Sequence, residues 1–493
     1  MLESIKCLLD AFEKNNIIYC HWKSNEHLLP ALNGDTDLDM LFLPEQRSIL
    51  DIVLNECGLK RFRSTSYSQY NAIEDFIGID AKENKIWHLH LHYRLTFGEK
   101  HLKGYTLTSF SKDMLDNRVL DTSGCYIAAP EYELLMLIIR MSSKLRVYDI
   151  FGNLSDDDIV EYNWLLARIN KERFYSVLST LFTKNTIELI YSLVYRNIKK
   201  KRELFKIYRF LRGELEQYTY YSDLSSSMCS YFRTVYSLIE GINRHFHLNS
   251  ATPRRRVSPS GGCVVAFLGS DGAGKSTTIA FIRDEFGKKL DVMTSYLGSG
   301  DGECSLIRLP MRYVARKIGG RGLGASVEEE YEAKKVSKNI SMKAKLYTIA
   351  KVIWAVTLAY EKKSKLNKII EARNKGMLIL IDRYPQTEYN GFGDGPLLSK
   401  YCYSDNWFLR KLAEKEYEIY LSFAKNPPDL FLKLVVPTEI AINRKPEMTV
   451  KEINEKREAI LNIFKEYKCE IVDTSVEKRE SFAQVMNAIW RII

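Results

Sequence analysis

At 493 residues the chain exceeds one ordinary hydrophobic core, so two or three domains are expected. Its 45% hydrophobic and 27% charged residues exclude a mainly disordered protein. The formal charge of +10 suits a protein that handles anions, whether phosphorylated substrates, nucleic acid or an acidic membrane, without choosing among them.

The opening segment, MLESIKCLLDAFEKNN, interrupts its apolar residues with Glu3, Lys6 and Asp10 and so lacks the apolar core of a signal peptide. The longest apolar stretches, near 134–139 and 352–360, fall under half of the roughly 20 residues that cross a bilayer. A cytoplasmic location is expected. Nine cysteines show no CxxC pair and no metal-ligand spacing, and read as reduced thiols.

Residues 1–145 mix helical patterns with strand-like runs such as DLDMLFL and IWHLHLHYRL, which predicts an α/β domain. Within it Ser24 stands thirteen positions ahead of Asp37, and Asp39 follows two further on. Alternation puts Asp37 and Asp39 on one strand face, where two carboxylates could hold Mg²⁺ for nucleotidyl transfer. His88, His90 and His92 share a face of the next strand. They could bind a metal such as Zn²⁺ or contact phosphate, or they line a polar groove without metal. This pattern resembles the nucleotidyltransferase superfamily of DNA polymerase beta, which carries Gly-Ser, about a dozen residues, Asp-x-Asp, and a third acid on a neighbouring strand. Here Lys23 replaces the glycine and the third-acid strand carries histidines, leaving Asp35, Asp75 and Asp80 as candidate substitutes. The resemblance implies a nucleotidyltransferase-like fold with Asp37 and Asp39 as metal ligands, and leaves open nucleotidyl transfer or a binding role.

Residues 146–249 give few strand signals and many helical ones, predicting a helical connector. At 196–212, RNIKKKRELFKIYRFLR holds eight basic residues and one acid. It reads as an amphipathic helix packed by its apolar side, with an acidic membrane or nucleic acid as the alternative partner. A Pro, Gly and Arg-rich linker follows over 250–261.

From 262 to 493 buried-strand runs alternate with helices, the signature of a parallel α/β sheet. GSDGAGKS fills GxxxxGK[ST] between the strand CVVAFL and the helical run TTIAFIRDEF. Gly269, Ser270, Asp271, Gly272, Ala273 and Gly274 form a tight turn whose N–H groups converge on phosphate at a helix N-terminus. Lys275 neutralises β and γ oxygens, Ser276 offers a hydroxyl to Mg²⁺, and Thr277 extends the hydroxyl cluster. ATP and Mg²⁺ are the expected cofactors. The strand beginning at Met377 delivers Asp382, Arg383 and Tyr384 to its C-terminal end, where open α/β sheets bind ligands. There Asp382 can organise Mg²⁺-bound water or the acceptor, and Arg383 can hold phosphoryl oxygens.

The loop and this DRY segment resemble the thymidylate kinase family, which carries GxDGxGKST and DR[YFH] followed by a Ser and a Tyr-Gln pair. Thr387 and Tyr389-Asn390 stand near those last positions, with spacing shortened by about two residues. PPDLFLKLVVPTEIAINRK resembles the family's PDL strand, helix and arginine-bearing lid, which implies a lid role for Arg444, with Lys445 and Arg457 as further candidates. IVDTS resembles the last strand beside the adenine. Where the family has Arg-Glu-Pro-Gly against the acceptor, this chain reads YLGSGDGECSLIRLP, with Gly298, Gly300, Gly302 and Arg308 as candidate anion contacts. That variant resembles kinase-like proteins found among bacterial surface-polysaccharide genes. The resemblance implies phosphoryl transfer from ATP to a nucleoside monophosphate or related phosphorylated acceptor, with Lys275, Asp382, Arg383 and Arg444 catalytic. Nucleotidyl transfer by the first domain, or an ATP-switched binding protein without catalysis, are the alternatives. Oligomeric state is left open.

Overall fold

The structure, a computed structural model, describes residues 1–145, 151–196, 198, 200–245, 251–298, 342–388, 394–444, 446 and 449–493, with backbone alone at 223, 342–348 and 350. The chain divides into two compact units, Met1–Leu248 with Arg254–Arg256, and Asn249–Pro253 with Val257–Ile493. Among the described residues no helix is long and apolar enough to cross a membrane.

In the first unit the strands are β1 (Tyr19–His21), β2 (Leu38–Phe42), β3 (Lys60–Phe62), β4 (Ile73–Asp80), β5 (Lys85–His92), β6 (Leu95–Phe97), β7 (Tyr105–Leu107), β8 (Val119–Leu120) and β9 (Tyr126–Ile127). They form a mixed sheet in the order β3-β4-β5-β2-β1-β9-β8, with β6 and β7 as a separate pair. Helix Glu3–Lys14 buries Ile5, Leu8, Leu9 and Phe12, spaced three and four apart as one stripe. This stripe joins Leu38, Met40 and Phe42 of β2 and Trp87, Leu89 and Leu91 of β5 in one core. Period-two alternation sends Asp39 and the three histidines to the other face.

A second core lies around helix Pro130–Ser143, which opens on a proline at its first turn and is buried along nearly its whole length. Helices Asp156–Leu166, Lys171–Ser179 and Lys201–Leu215 pack against it. Their apolar residues share one cluster with Trp22 and Leu41 of the sheet region. The basic helix Lys201–Leu215 buries Leu204, Ile207, Leu211 and Leu215 on one stripe and leaves its cations on the other side.

Glu133 breaks the apolar surround of that central helix. Its carboxylate accepts from the Asn25 amide N–H at 2.8 Å and from Asn25 Nδ2 at 2.7 Å. Burial pushes it from 4.5 up to about 8, with Glu161 and Glu26 adding to the rise and the Asn25 bonds opposing it. The unfolded chain loses this proton near 4.5 and the folded chain near 8, so the folded state binds more protons between them. Stability from Glu133 is therefore full below the unfolded value and is lost as pH rises through that window. Urea titrations of wild type and Glu133→Gln at both ends of the window test this. The difference between the two proteins should swing toward the variant by on the order of a few kcal/mol as pH rises.

The second unit holds β10 (Cys263–Gly269), β11 (Val292–Tyr296), β12 (Leu378–Asp382), β13 (Leu430–Val435) and β14 (Cys469–Asp473). Among the described residues they form a five-stranded sheet, β11-β12-β10-β13-β14, with every pairing parallel. Strands buried on both faces read as continuous apolar runs, as LILID and LFLKLV do. Helix Lys275–Phe286 follows β10, and its neighbours β12 and β13 lie on opposite sides, so the chain reverses direction across the sheet at the end of β10. Open α/β sheets bind ligands at such a switch point.

Gly262 enters β10 against the turn before β12, donating its N–H to Arg373 O at 2.7 Å. A Cβ there would lie 2.1 Å from Met377 O and 2.8 Å from Met377 N, both backbone atoms that cannot rotate away. Gly262→Ala should cost about 1–3 kcal/mol, read as a lowered urea midpoint with unchanged slope.

Candidate functional site

The loop over 270–274 leaves β10 and turns into helix Lys275–Phe286 through Gly272 (φ 83°) and Gly274 (φ 82°), left-handed conformations that glycine adopts freely. Gly272 has a second constraint, since a Cβ would stand 3.0 Å from Ala441 O. The free N–H groups of the first helical turn face the loop, with Ser276 and Thr277 exposed on that turn. Lys275 folds back into the loop, its ammonium donating to Gly269 O at 2.7 Å and Ser270 O at 3.0 Å. Burial, helped by the Arg383 charge, lowers it from 10.5 to about 8 against the pull of Asp382 and Asp271.

Asp382 ends β12 opposite Phe267 of β10. Its Oδ1 is buried without a hydrogen-bond partner. Burial raises its pKa, while Lys275 and Arg383 oppose the rise. A buried carboxylate oxygen without a hydrogen bond next to the glycine-rich loop is a donor of the type Mg²⁺ requires, and the exposed Ser276 hydroxyl is a second. These residues fit the ion.

Arg383 adopts φ 66°, outside the usual range of a non-glycine residue. Its guanidinium reaches Asp271 Oδ1 at 3.0 Å and Asp394 Oδ2 at 3.5 Å. Lys456 donates to the other oxygen of Asp271 at 2.8 Å. The carboxyl of Asp271 stays low because the bond from Lys456 and the nearby cations outweigh its burial. Arg444, at the end of helix Thr438–Arg444, donates to Gly272 O at 3.0 Å and Thr474 O at 3.2 Å. Thr474 Oγ1 in turn donates to Ala273 O at 3.1 Å. Gly298 lies against the Arg383 stem, where a Cβ would stand 2.7 Å from its Cδ. Lys275, Asp382, Arg383 and Arg444 thus gather round one loop.

Other candidates go elsewhere. Tyr384 turns into the core, its hydroxyl donating to Phe423 O at 3.1 Å and Asn426 O at 2.5 Å. Thr387 lines a cavity of about 450 Å³ with Tyr384, Phe423, Pro427, Phe464 and Tyr467, and none of its described lining residues belongs to the loop. Arg457 acts on Asp473, whose carboxyl is lowered first by hydrogen bonds from Ser475 and then by that charge. Gly300, Gly302, Arg308, Tyr389, Asn390 and Lys445 lie outside the described residues. Sequence reasoning missed Lys456, Asp394 and Thr474. Only Thr474 carried a signal, inside IVDTS.

In the first unit β2 runs parallel to β5 with Asp39 opposite His90, and β4 runs antiparallel with Asp75 opposite His90. Asp39 Oδ1 takes Lys23 Nζ at 2.8 Å, His90 Nδ1 at 2.7 Å and His92 Nε2 at 3.4 Å. Burial works to raise the Asp39 pKa, but Lys23 and the two imidazoles outweigh it and hold the carboxyl well below its usual range. Burial also lowers His90 to about 4, and burial together with the neighbouring His90 holds His92 well below the usual imidazole range. His88 is spoken for differently: its Nε2 bonds Asp75 Oδ1 at 2.9 Å, and its Nδ1 stands 3.1 Å from Asp37 Oδ1 without a hydrogen bond. Arg256 joins the same two acids, at 3.7 Å to Asp37 and 2.7 Å to Asp75. Asp35 pairs with Lys85, and Asp80 with the Ser4 amide and hydroxyl, both away from the histidine face.

No protein-family model matches the chain. It is 29% identical over 219 residues, 42% of its length and 78% of the relative's, to "Uncharacterized ATP-binding protein YghR" of Escherichia coli strain K12. To "Uncharacterized ATP-binding protein YghS" of the same strain it is 28% identical over 219 residues, covering 43% of this chain and 82% of that one. Among solved structures it is similar to a thymidylate kinase from Ehrlichia chaffeensis, with TM-score 0.24, 11% identity, and 46% and 99% of the two chains covered. It is also similar to a deoxyadenosine kinase from M. mycoides, with TM-score 0.25, 16% identity, and 46% and 98% covered. Likeness at those scores carries no function over to this chain.

Proposed function

We propose that the protein is an ATP-dependent phosphotransferase that moves the γ-phosphoryl of ATP to a nucleoside monophosphate or a related phosphorylated or hydroxylated acceptor. The observation that carries this reading is the buried, unpaired Asp382 Oδ1 at the strand end beside the Lys275 loop. That combination suits a metal-bound triphosphate better than a structural turn, because a buried carboxylate oxygen left without a hydrogen bond is costly unless a cation arrives. The ATP-binding names of the two relatives support the same donor.

In this reading the loop N–H groups and Lys275 hold the β and γ phosphates. Ser276 and Asp382 would hold Mg²⁺, which when bound neutralises charge on those oxygens. Arg383 exchanges its contacts with Asp271 and Asp394 for oxygens of the transferring group. Arg444, already seated on Gly272 O, shields the loop from water. The reading extends to acceptors of bacterial surface-polysaccharide metabolism.

A second reading, nucleotidyl transfer through Asp37 and Asp39, is favoured by one observation. Asp75 of β4 bonds His88, whose other ring nitrogen stands 3.1 Å from Asp37, and supplies a third carboxylate that β5 lacks. Incubating the full chain with γ-labelled and α-labelled ATP and a panel of nucleoside monophosphates and sugar phosphates separates the two. Label from the γ position alone on an acceptor supports the phosphotransferase. Label from the α position, or no labelled acceptor despite tight ATP binding, sinks it.

A further inference from the structure

The transfer proposed for the loop of the second unit does not call on the histidine face of β5, which builds a compact ligand set of its own. Asp39, His90 and His92 bring one ligand atom each within 4.8 Å of one another. Asp39 Oδ1 and His90 Nδ1 are 2.7 Å apart, Asp39 Oδ1 and His92 Nε2 3.4 Å, and His90 Nδ1 and His92 Nε2 3.3 Å. Ligands at about 2.0–2.1 Å from a tetrahedral metal stand about 3.3–3.4 Å from each other. Two edges of this triangle already have that length, and the third needs to open by only about 0.6 Å.

We propose that Asp39, His90 and His92 form a binding site for a divalent transition-metal ion of the Zn²⁺ type. The donor set, two imidazoles and a carboxylate, is one such ions take, unlike the all-oxygen surroundings preferred by Mg²⁺. The three donors sit on adjacent strands paired in register, so the sheet fixes their spacing rather than a loop. His92 is fully buried, Asp39 nearly so, and His90 is the part-exposed member that opens the site to solvent. His88 is not a ligand. Both its nitrogens face carboxylates, Asp37 and Asp75.

Lys23 is the competitor. Its ammonium lies 2.8 Å from Asp39 Oδ1 on a side chain that is 23% exposed, so it balances the carboxylate without metal and can swing into solvent when metal enters. The fourth position is then left to water, as in zinc sites that keep an open coordination place.

The test is Co²⁺ titration of the chelator-stripped full chain, followed by visible absorption. Tetrahedral N/O-ligated Co²⁺ absorbs far more strongly than the octahedral oxygen-ligated ion, so binding at the phosphate loop does not imitate the signal. We expect one strongly absorbing Co²⁺ per chain, displaced by Zn²⁺ and retained in Lys275→Met. Lys23→Met should bind at least about tenfold more tightly, because one competing unit charge at ion-pair distance is gone. The His90→Ala/His92→Ala pair and Asp39→Asn should lose the bands. Absence of the bands in wild type and Lys23→Met, unchanged affinity in Lys23→Met, or bands that persist in folded His90→Ala/His92→Ala would each overturn the proposal. The wild-type and Lys23→Met results decide it even where a histidine variant fails to fold.

Discussion

Full-length Lys275→Met should lose ATP-dependent phosphoryl transfer by at least about 10²–10³-fold, the loss typical of removing one charge-stabilising group from a dry site. Methionine keeps the length and apolar stem of the side chain and removes only the ammonium. That ammonium now satisfies Gly269 O and Ser270 O at 2.7 and 3.0 Å. Its loss leaves two carbonyls short of a donor, at about 1–3 kcal/mol each if water cannot reach them. Part of this is returned because burial already disfavours the charged lysine. The variant should therefore fold, with a modest shift in thermal midpoint, and circular dichroism checks that. Transfer that continues at the wild-type rate in the folded variant would remove Lys275 from the chemistry.

Asp382→Asn should separate stability from activity. The carboxylate is partly buried, its pKa is raised by that burial, and its Oδ1 has no partner. An amide of the same shape relieves the cost of a dry charge, so the variant should melt no lower than wild type and somewhat higher. Its transfer rate should nonetheless fall by about 10²-fold, and the Mg²⁺ concentration for half-maximal rate should rise, because an ionised ligand has become a neutral one. A variant less stable than wild type with an unaltered Mg²⁺ requirement would make Asp382 a structural residue. Lys275 and Asp382 lean on each other electrostatically, so their effects should not add in the double variant.

The strand–loop–helix around Lys275 was legible because its pattern is local. Eight contiguous residues specify glycine turns, a lysine and a hydroxyl, and the flanking runs specify strand then helix. Asp382 and Arg383 were legible for a similar reason, since an apolar run that ends in charge places that charge at a strand end. Tyr384, one position further, was not. Its destination is decided by Phe423, Phe431 and Phe464, which meet it only in the folded unit. Lys456 had no local signal at all, because it reaches Asp271 from 185 positions away on a helix whose only motif is its capping box.

The first unit shows the same limit in a sheet. Period two put His88, His90 and His92 on one face, and Asp37 with Asp39 on another strand face. Which acid meets which histidine follows from the parallel register of β2 on β5, and nothing in either strand alone encodes that. The structure therefore groups Asp39 with His90 and His92, and hands His88 to Asp37 and Asp75. Likewise the helical pattern over 146–249 says nothing of what those helices pack on, and the structure gives Asp156–Leu166, Lys171–Ser179 and Lys201–Leu215 a core shared with helix Pro130–Ser143 through contacts distant in sequence.

The most direct measurement is calorimetric titration of ATP with Mg²⁺ into the full chain, wild type beside Lys275→Met and Asp39→Asn. The loop as donor site predicts one ATP per chain, binding weakened at least about 100-fold by Lys275→Met and unchanged by Asp39→Asn. ATP binding that survives Lys275→Met and disappears in Asp39→Asn would contradict it, as would a wild-type chain that binds no ATP.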